Sequence, residues 1–381
     1  MRAQHPPASR ILARMAVADA WATLLGFAAL AAIAVAAAAI ARRLFPVEAS
    51  HDSVVETLTA DGWRLGVRIY RPAERMFVEP VILCHGLGVS GLHFDLSAKL
   101  SLARRLSDAG FLVLVPDLRG RGLSRCSPSG ARRVRFADHA EKDGQALVDA
   151  ARRLSGSPQV FWVGHSMGGM AGAVLAVARS EALAGLVAMA VPYRPSPQRG
   201  LRWAVRAVLA FPGTFPLSFA ASLLAPFVTP TWPPVPDLVA VRSHLDRRVL
   251  GAALAQLLSD LPRGLLSELA GWGEGVAPLV ADGLAYPDHW VRVACPLFVV
   301  AGSADVLAPP DDAGRAFEAA ASSDKEWAVI CDNGGLSHGV GHGDLLLGRE
   351  APRQVFPAVR RWLEMRARRT AAGMVKSENV L

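Results

Sequence analysis

The segment Val160-Phe-Trp-Val-Gly164-His165-Ser166-Met167-Gly168-Gly169 constrains this chain more tightly than any other. A short apolar run reads as a buried strand, and it ends in a serine with glycines two positions before and two after. The small-residue run Met170–Ala178 follows at once and reads as a helix. A strand-to-helix turn that tight strains the serine backbone and pushes its hydroxyl clear of the sheet, so Gly164 and Gly168 stand where almost no side chain fits. Ser166 also precedes a helix N-terminus, where free N–H groups and the helix dipole favour an oxyanion. A Gly-rich turn occurs in many α/β proteins; the flanking strand and helix are what favour a nucleophilic serine here.

Strand and helix patterns alternate on both sides of this turn. Ser53–Thr59 and Arg64–Tyr70 alternate in polarity around Asp61-Gly62, a hairpin signal. Val81–Cys84, Phe111–Val115, Gly185–Met189, Leu297–Ala301 and Trp327–Ile330 are continuous apolar runs, as strands buried on both faces require. Helical patterns lie near 100–109, 138–154 and 352–368. Together they predict an α/β fold with a mostly parallel, eight-stranded sheet and helices on both faces. Right-handed crossovers bring the C-terminal ends of such strands to one edge, where ligands bind. Leu87, Ser166, Asp305 and the histidines near 340 all follow such ends.

Two stretches stand outside that alternation. Residues 21–41 form an uncharged Ala-, Leu-, Ile- and Val-rich run, long enough at 1.5 Å per residue to span a hydrocarbon core of about 30 Å. A signal-peptide core is shorter, about 7–15 residues, so the run reads as a single-pass anchor in a cell membrane, bacterial by expectation. Arg2, Arg10 and Arg14 before it nearly balance Arg42 and Arg43 after it, so charge does not choose its orientation. The second stretch, residues 191–294, is rich in proline and carries Trp203, Phe211, Phe215, Phe219, Phe227, Trp232, Trp272 and Trp290. Inserted at the C-terminal sheet edge, it reads as a helical lid over an apolar acyl-binding cleft. The expected organisation is a tail (1–20), the anchor (21–41), a core in two parts (50–190 and 295–368) split by the lid, and a disordered tail (369–381).

The net charge of +8 comes from arginines scattered along the chain, which argues against nucleic acid as a partner. Cys84, Cys126, Cys295 and Cys331 have neither metal-ligand nor paired spacing, and read as buried thiols.

A serine hydroxyl needs a base within hydrogen-bond reach and a carboxylate to set the base's tautomer. Asp305 lies in the loop directly after a buried strand; Asp311 and Asp312, further on, read as helix-capping residues. Ser337-His338-Gly339-Val340-Gly341-His342-Gly343-Asp344 offers two histidines, and His342, just before a short helix, is the preferred base over His338. An oxyanion hole needs two N–H donors. These are assigned to Met167 and to Leu87, in the loop His85-Gly86-Leu87-Gly88. His85 and His165 read as structural supports of that loop and of the serine turn.

From about residue 53 to 368 the chain resembles the α/β-hydrolases. His85-Gly86-Leu87-Gly88 is similar to their oxyanion loop, Asp117-Leu-Arg-Gly-Arg-Gly-Leu-Ser124 to their D-x-R-G-x-G-x-S turn, and Gly164-His-Ser-Met-Gly-Gly169 to their nucleophile elbow. Asp305 and His342 match the acid and base. The stretch Gly341–Gly348 with Ala351-Pro352 is similar to the histidine loop of acid lipases and related bacterial hydrolases, although Met167 replaces their usual glutamine. Polyhydroxyalkanoate synthases are similar in outline but use cysteine where Ser166 stands. The resemblance implies a serine esterase of lipase type that cleaves a small-molecule or lipid ester through an acyl-serine intermediate, with no metal or organic cofactor. Acyl transfer by the same three residues is the alternative chemistry, and a silent, membrane-tethered binding protein the alternative class.

Overall fold

The computed structural model describes residues 8–126, 134–194, 199–229, 240–241, 244–332 and 339–372. Trp232 and His338 lie outside the described residues.

The sheet is mixed, with helices on both faces. Its strands in chain order are β1 (Ser53–Leu58), β2 (Trp63–Tyr70), β3 (Val81–Cys84), β4 (Val113–Pro116), β5 (Arg125–Cys126), β6 (Val160–His165) and β7 (Leu183–Met189). A small separate hairpin, β8 (Val280–Ala281) with β9 (Leu284–Ala285), precedes the last two, β10 (Leu297–Gly302) and β11 (Lys325–Ile330). The spatial order is β1-β2-β4-β3-β6-β7-β10-β11, and the two-residue β5 pairs beside β2 as a ninth strand among the described residues. β1 and β2 form an antiparallel hairpin turned at Gly62, whose φ of 88° suits glycine. β2 meets β4 antiparallel, and every pairing from β4 through β11 along that order is parallel.

Strand alternation divides the core into two layers. Along β6, Val160 and Trp162 enter one cluster with Met170 and Val174, while Phe161 and Val163 enter the other with Val359 and Trp362. Both faces are covered, which is why these strands read as unbroken apolar runs.

The helices are α1 (Ala8–Leu44), α2 (Leu102–Asp108), α3 (Gln145–Ser155), α4 (Met167–Ala178), α5 (Arg199–Leu209), α6 (Leu217–Leu224), α7 (Arg247–Ala252), α8 (Arg263–Gly273), α9 (Tyr286–Trp290), α10 (Pro310–Ala319), α11 (Asp344–Leu347) and α12 (Phe356–Arg366). Those from α5 to α9, with a wide π-helical turn at Ala253–Leu257, form the segment between β7 and β10. Residues Leu24–Leu44 of α1 are long and apolar enough to cross a membrane by length and composition, and a signal sequence passes the same test. The last turns of α1 pack on that segment. Ala41 is buried with Ala225 and Ala255, and Gln256 Nε2 donates to the carbonyls of Arg42 at 3.2 Å and Phe45 at 2.5 Å.

Three expectations need correction. Only Cys84 is buried; Cys126 and Cys331 are exposed and Cys295 is intermediate, because strand ends and the connections beside them reach the surface. Residues 369 and 370, expected in a disordered tail, are held by the core: Arg369 bridges Phe77, and Thr370 N–H donates to the Met76 carbonyl at 2.9 Å. Asp312 does not cap α10, whose cap position is Pro309; it accepts from the N–H groups of Tyr193 (2.8 Å) and Arg194 (3.0 Å) at the start of the inserted segment.

Candidate active site

Ser166 joins β6 to α4 with φ 53° and ψ −121°, a region that non-glycine residues rarely occupy. The turn is held from several sides. Ser166 N–H donates to Met189 O at 2.8 Å, and Trp162 Nε1 donates to Gly168 O at 2.9 Å. A Cβ on Gly164 would stand 2.3 Å from the Gly168 carbonyl oxygen, and one on Gly168 would stand 2.2 Å from that of Cys84. Neither position has room for a methyl group.

His342 and Asp305 meet across the ends of β10 and the following loops. His342 Nδ1 donates to Asp305 Oδ2 at 2.8 Å, and both residues are buried. Asp305 Oδ1 accepts from Leu307 N–H at 2.8 Å and Ala308 N–H at 2.9 Å, so its carboxylate cannot rotate freely. With Nδ1 committed as donor, His342 Nε2 carries the lone pair. The loop bearing His342 passes so close over β10 that a Cβ on Gly302 would stand 2.4 Å from Val340 O. Its backbone is fixed again below, where Asp344 Oδ2 accepts from Gly341 N–H (2.7 Å) and Val241 N–H (3.0 Å).

Ser166 and His342 line one cavity of about 290 Å³, without a hydrogen bond between them. Catalytic hydrogen bonds in ligand-free structures are often long and tighten on binding. Leu87 lines the same cavity, and Gly86 approaches Ser166 so closely that an added Cβ would stand 3.0 Å from the serine Cβ. The N–H groups of Leu87 and Met167 donate to no protein acceptor among the described residues. The remaining walls are mostly aliphatic: Leu245, Leu250, Ala253, Leu254 and Leu257 come from the inserted segment, and Val89 and Leu347 from the core. Trp203, Phe211 and Phe227, by contrast, are exposed, and none of the described aromatic residues expected in the lid lines this cavity.

A set of buried histidines surrounds the serine. His85 Nδ1 donates to Gly86 O at 2.9 Å, and its Nε2 accepts from Leu118 N–H at 3.0 Å, an arrangement open only to the neutral ring. Burial first, then the nearby Arg121 guanidinium, depresses its pKa to about 3. His165 Nε2 donates to His342 O at 2.9 Å, and burial, then His342, pushes its pKa well below the ordinary value. His93 is buried as well; its ring stands 4.8 Å from that of His165, and it lines the same cavity. Burial, then His85 and His342, brings its pKa to about 3. The sequence reading passed over His93, because a lone histidine in Gly-Leu-His-Phe has no spacing that marks it.

Asp117 supports the Leu87 side. It accepts from Gly91 N–H (2.6 Å), Leu123 N–H (2.7 Å) and Arg68 Nη1 (3.1 Å). Burial alone would raise its pKa, but Arg68 and these N–H groups outweigh burial and hold it below the usual range. A Cβ on Gly122 would fall 2.0 Å from Asp117 Oδ2, and its φ is 46°, so glycine is required there twice over. Among the described residues, no group of three or more His, Cys, Asp or Glu could hold a metal ion.

Residues 81–358 match the family model described as "Alpha/beta hydrolase family". No curated protein matches the sequence significantly. Among solved structures, a thermophilic esterase from Thermogutta terrifontis is similar over 83% of this chain and 100% of its own, at 21% identity and TM-score 0.57. A monoacylglycerol lipase from Paleococcus ferrophilus is similar over 79% of this chain and 99% of its own, at 19% identity and TM-score 0.55. A bacterial membrane phospholipase A is similar over 93% of this chain and 99% of its own, at 16% identity and TM-score 0.51.

Proposed function

This chain belongs to the alpha/beta hydrolase family, and on that premise we propose that it is a serine hydrolase of carboxylic esters with Ser166 as nucleophile, His342 as general base and Asp305 as the carboxylate that orients it. One observation carries the reading: a serine held at φ 53° shares a cavity with a histidine whose Nδ1 is fixed by a carboxylate at 2.8 Å. In the proposed cycle His342 Nε2 takes the Ser166 proton as Oγ attacks the ester carbonyl. The oxyanion accepts from the free N–H groups of Leu87 and Met167, at the start of α4. His342 then protonates the departing alcohol, and water, activated in the same way, releases the acid and restores Ser166.

The aliphatic walls support an apolar acyl group as the substrate's buried half. A volume of about 290 Å³ stands at the lower end of the usual range for small-molecule sites, about 300–1,000 Å³, and favours a short or medium chain. In this reading residues 191–294 are the lid, and residues 24–44 anchor the enzyme in a membrane.

The test is fluorophosphonate labelling of wild type and Ser166→Ala, then hydrolysis of p-nitrophenyl esters of increasing chain length with and without a competing alcohol. Ser166-dependent labelling and acid release are expected. Labelling with ester formation in place of acid release would establish acyl transfer, and no labelling of wild type would remove the enzyme reading.

A further inference from the structure

The cavity that holds Ser166 has a polar side-chain atom that the proposed reaction does not use. Among the described residues, the polar side chains that line it are those of Ser166, His342, His165 and His93. Ser166 and His342 are the proposed nucleophile and base. His165 engages the His342 carbonyl through Nε2, and its Nδ1 is buried. His93 differs. Its Nδ1 is buried without a partner, whereas its Nε2 stays open to the cavity and pairs with no protein group among the described residues.

The turn that carries His93, Gly91–Phe94, is fixed at both ends. Before it, Gly91 N–H donates to Asp117 Oδ1 at 2.6 Å. Beyond it, the buried Asp95 accepts from Tyr70 Oη at 2.7 Å and from Ser50 N–H at 2.6 Å. Within it, His93 N–H donates to Ser90 O at 3.1 Å, and the Phe94 ring is buried in the core. The imidazole stands edge to face with that of His165, 4.8 Å away. A ring held this way presents its free nitrogen in one direction, as a preorganised contact requires. Burial, with a pKa of about 3, keeps the ring uncharged at neutral pH, so it holds no cation to draw in a carboxylate. A neutral imidazole nitrogen donates or accepts according to the tautomer, and a hydroxyl can answer either. A hydrocarbon placed against Nε2 would leave it unpaired in a mostly aliphatic chamber, at a cost in binding.

We propose that His93 is a specificity-determining residue of the ester-hydrolase site, with its Nε2 paired to a hydroxyl of the substrate. This rests on the reading of Ser166 as nucleophile and narrows its substrate class: an ester that carries a hydroxyl into the chamber is preferred over a plain hydrocarbon ester of the same shape. The hydroxyl has two possible sources, the acyl chain and the alcohol.

The test measures kcat/KM of the full chain in neutral detergent for two pairs of esters in which a methyl group replaces a hydroxyl. The first pair is ethyl 3-hydroxybutanoate and ethyl 3-methylbutanoate; the second is hydroxyethyl butanoate and propyl butanoate. In at least one pair the preference for hydroxyl over methyl should be about tenfold greater in wild type than in His93→Phe, because a methyl leaves the imidazole unpaired but not the phenyl ring. Comparing ratios cancels the reactivity of the esters themselves and any general loss of activity in the variant. His93→Gln, which keeps a donor and an acceptor on a side chain of similar reach, should retain part of the preference. A preference in the first pair assigns the hydroxyl to the acyl chain, and one in the second assigns it to the alcohol. Equal preferences in wild type and His93→Phe for both pairs, or a His93→Gln preference no larger than that of His93→Phe, would overturn the assignment and leave the hydrolase reading standing. No turnover of any ester by wild type would remove that reading, and this assignment with it.

Discussion

The side chain of His165 donates to the backbone carbonyl of His342 at 2.9 Å, across 177 residues of sequence. The residue immediately before the strained serine therefore holds the main chain of the histidine loop, while Asp305 holds the histidine ring. The His165 and His342 rings also meet edge to face, 4.7 Å apart. Replacing His165 by Phe keeps an aromatic ring and removes the donor. His165→Phe should lower kcat about tenfold with little change in KM, and should cost about 1 kcal/mol of stability for the lost hydrogen bond. Steady-state kinetics together with chemical denaturation would check both figures.

Asp305→Asn preserves size but lets the amide N–H face His342 Nδ1, which reverses the ring's tautomer preference. A kcat loss of about 10³- to 10⁴-fold is expected, with fluorophosphonate labelling slowed in proportion. Ser166→Ala should abolish labelling altogether while the far-UV circular dichroism stays unchanged.

Gly168→Ala should fail to give a stable protein, because the new methyl would lie 2.2 Å from the Cys84 carbonyl oxygen, a backbone atom that cannot turn aside. Gly271 sits in α8 with open space around its Cα. Gly271→Ala should be tolerated or stabilise by up to about 1 kcal/mol. Soluble yield and Tm of the two variants, measured side by side, would separate the effect of site from that of substitution.

The buried histidines set a pH dependence. His85, His93 and His165 have folded pKa values depressed below their unfolded value near 6.5. A depressed value means that the unfolded chain binds the proton first, so their contribution is present above about pH 6.5 and is lost as pH falls toward the folded values. At pH 5.5 His85 and His93, with folded values of about 3, should each have cost about 1.4 kcal/mol, and His165 acts in the same direction. Asp312 and Asp344, raised by burial, act in the opposite sense nearer the carboxylate range. Calorimetry from pH 7.5 to 5.5 should show Tm falling steadily, and a flat profile would mean that these rings protonate in the native state.

Short continuous apolar runs bounded by turn residues placed the inner strands, where both faces are buried; β11, at the sheet edge, was read from its apolar run as buried on both faces, yet it is only half-buried. Ser166 was legible for a related reason: glycines at both second neighbours have few explanations besides a backbone that allows no Cβ. Asp305 could be proposed from its position after an apolar run, but the 2.8 Å contact with His342 depends on how two loops fold over β10, and no local pattern encodes that. His93 was invisible for the same reason. Its character comes from burial, and burial of a single polar residue is decided by the segments that close over it. The inserted segment misled in another way: its aromatic residues drew the eye, yet Trp203 and Phe227 face outward and aliphatic residues line the cavity.

The π-helical turn Ala253–Leu257 has a different neighbour on each side. Ala253, Leu254 and Leu257 form part of the chamber wall around Ser166, while Ala255 and Gln256 are fastened to the end of α1. A single turn of backbone is the whole thickness of this partition. Proteolytic removal of α1 would strip the cover from Ala225 and Ala255 and leave the chamber's back wall facing solvent. Cleavage after α1 would thus leave the Ser166 cavity with one turn of chain between it and water, and the length of the mature polypeptide tells whether that wall is covered.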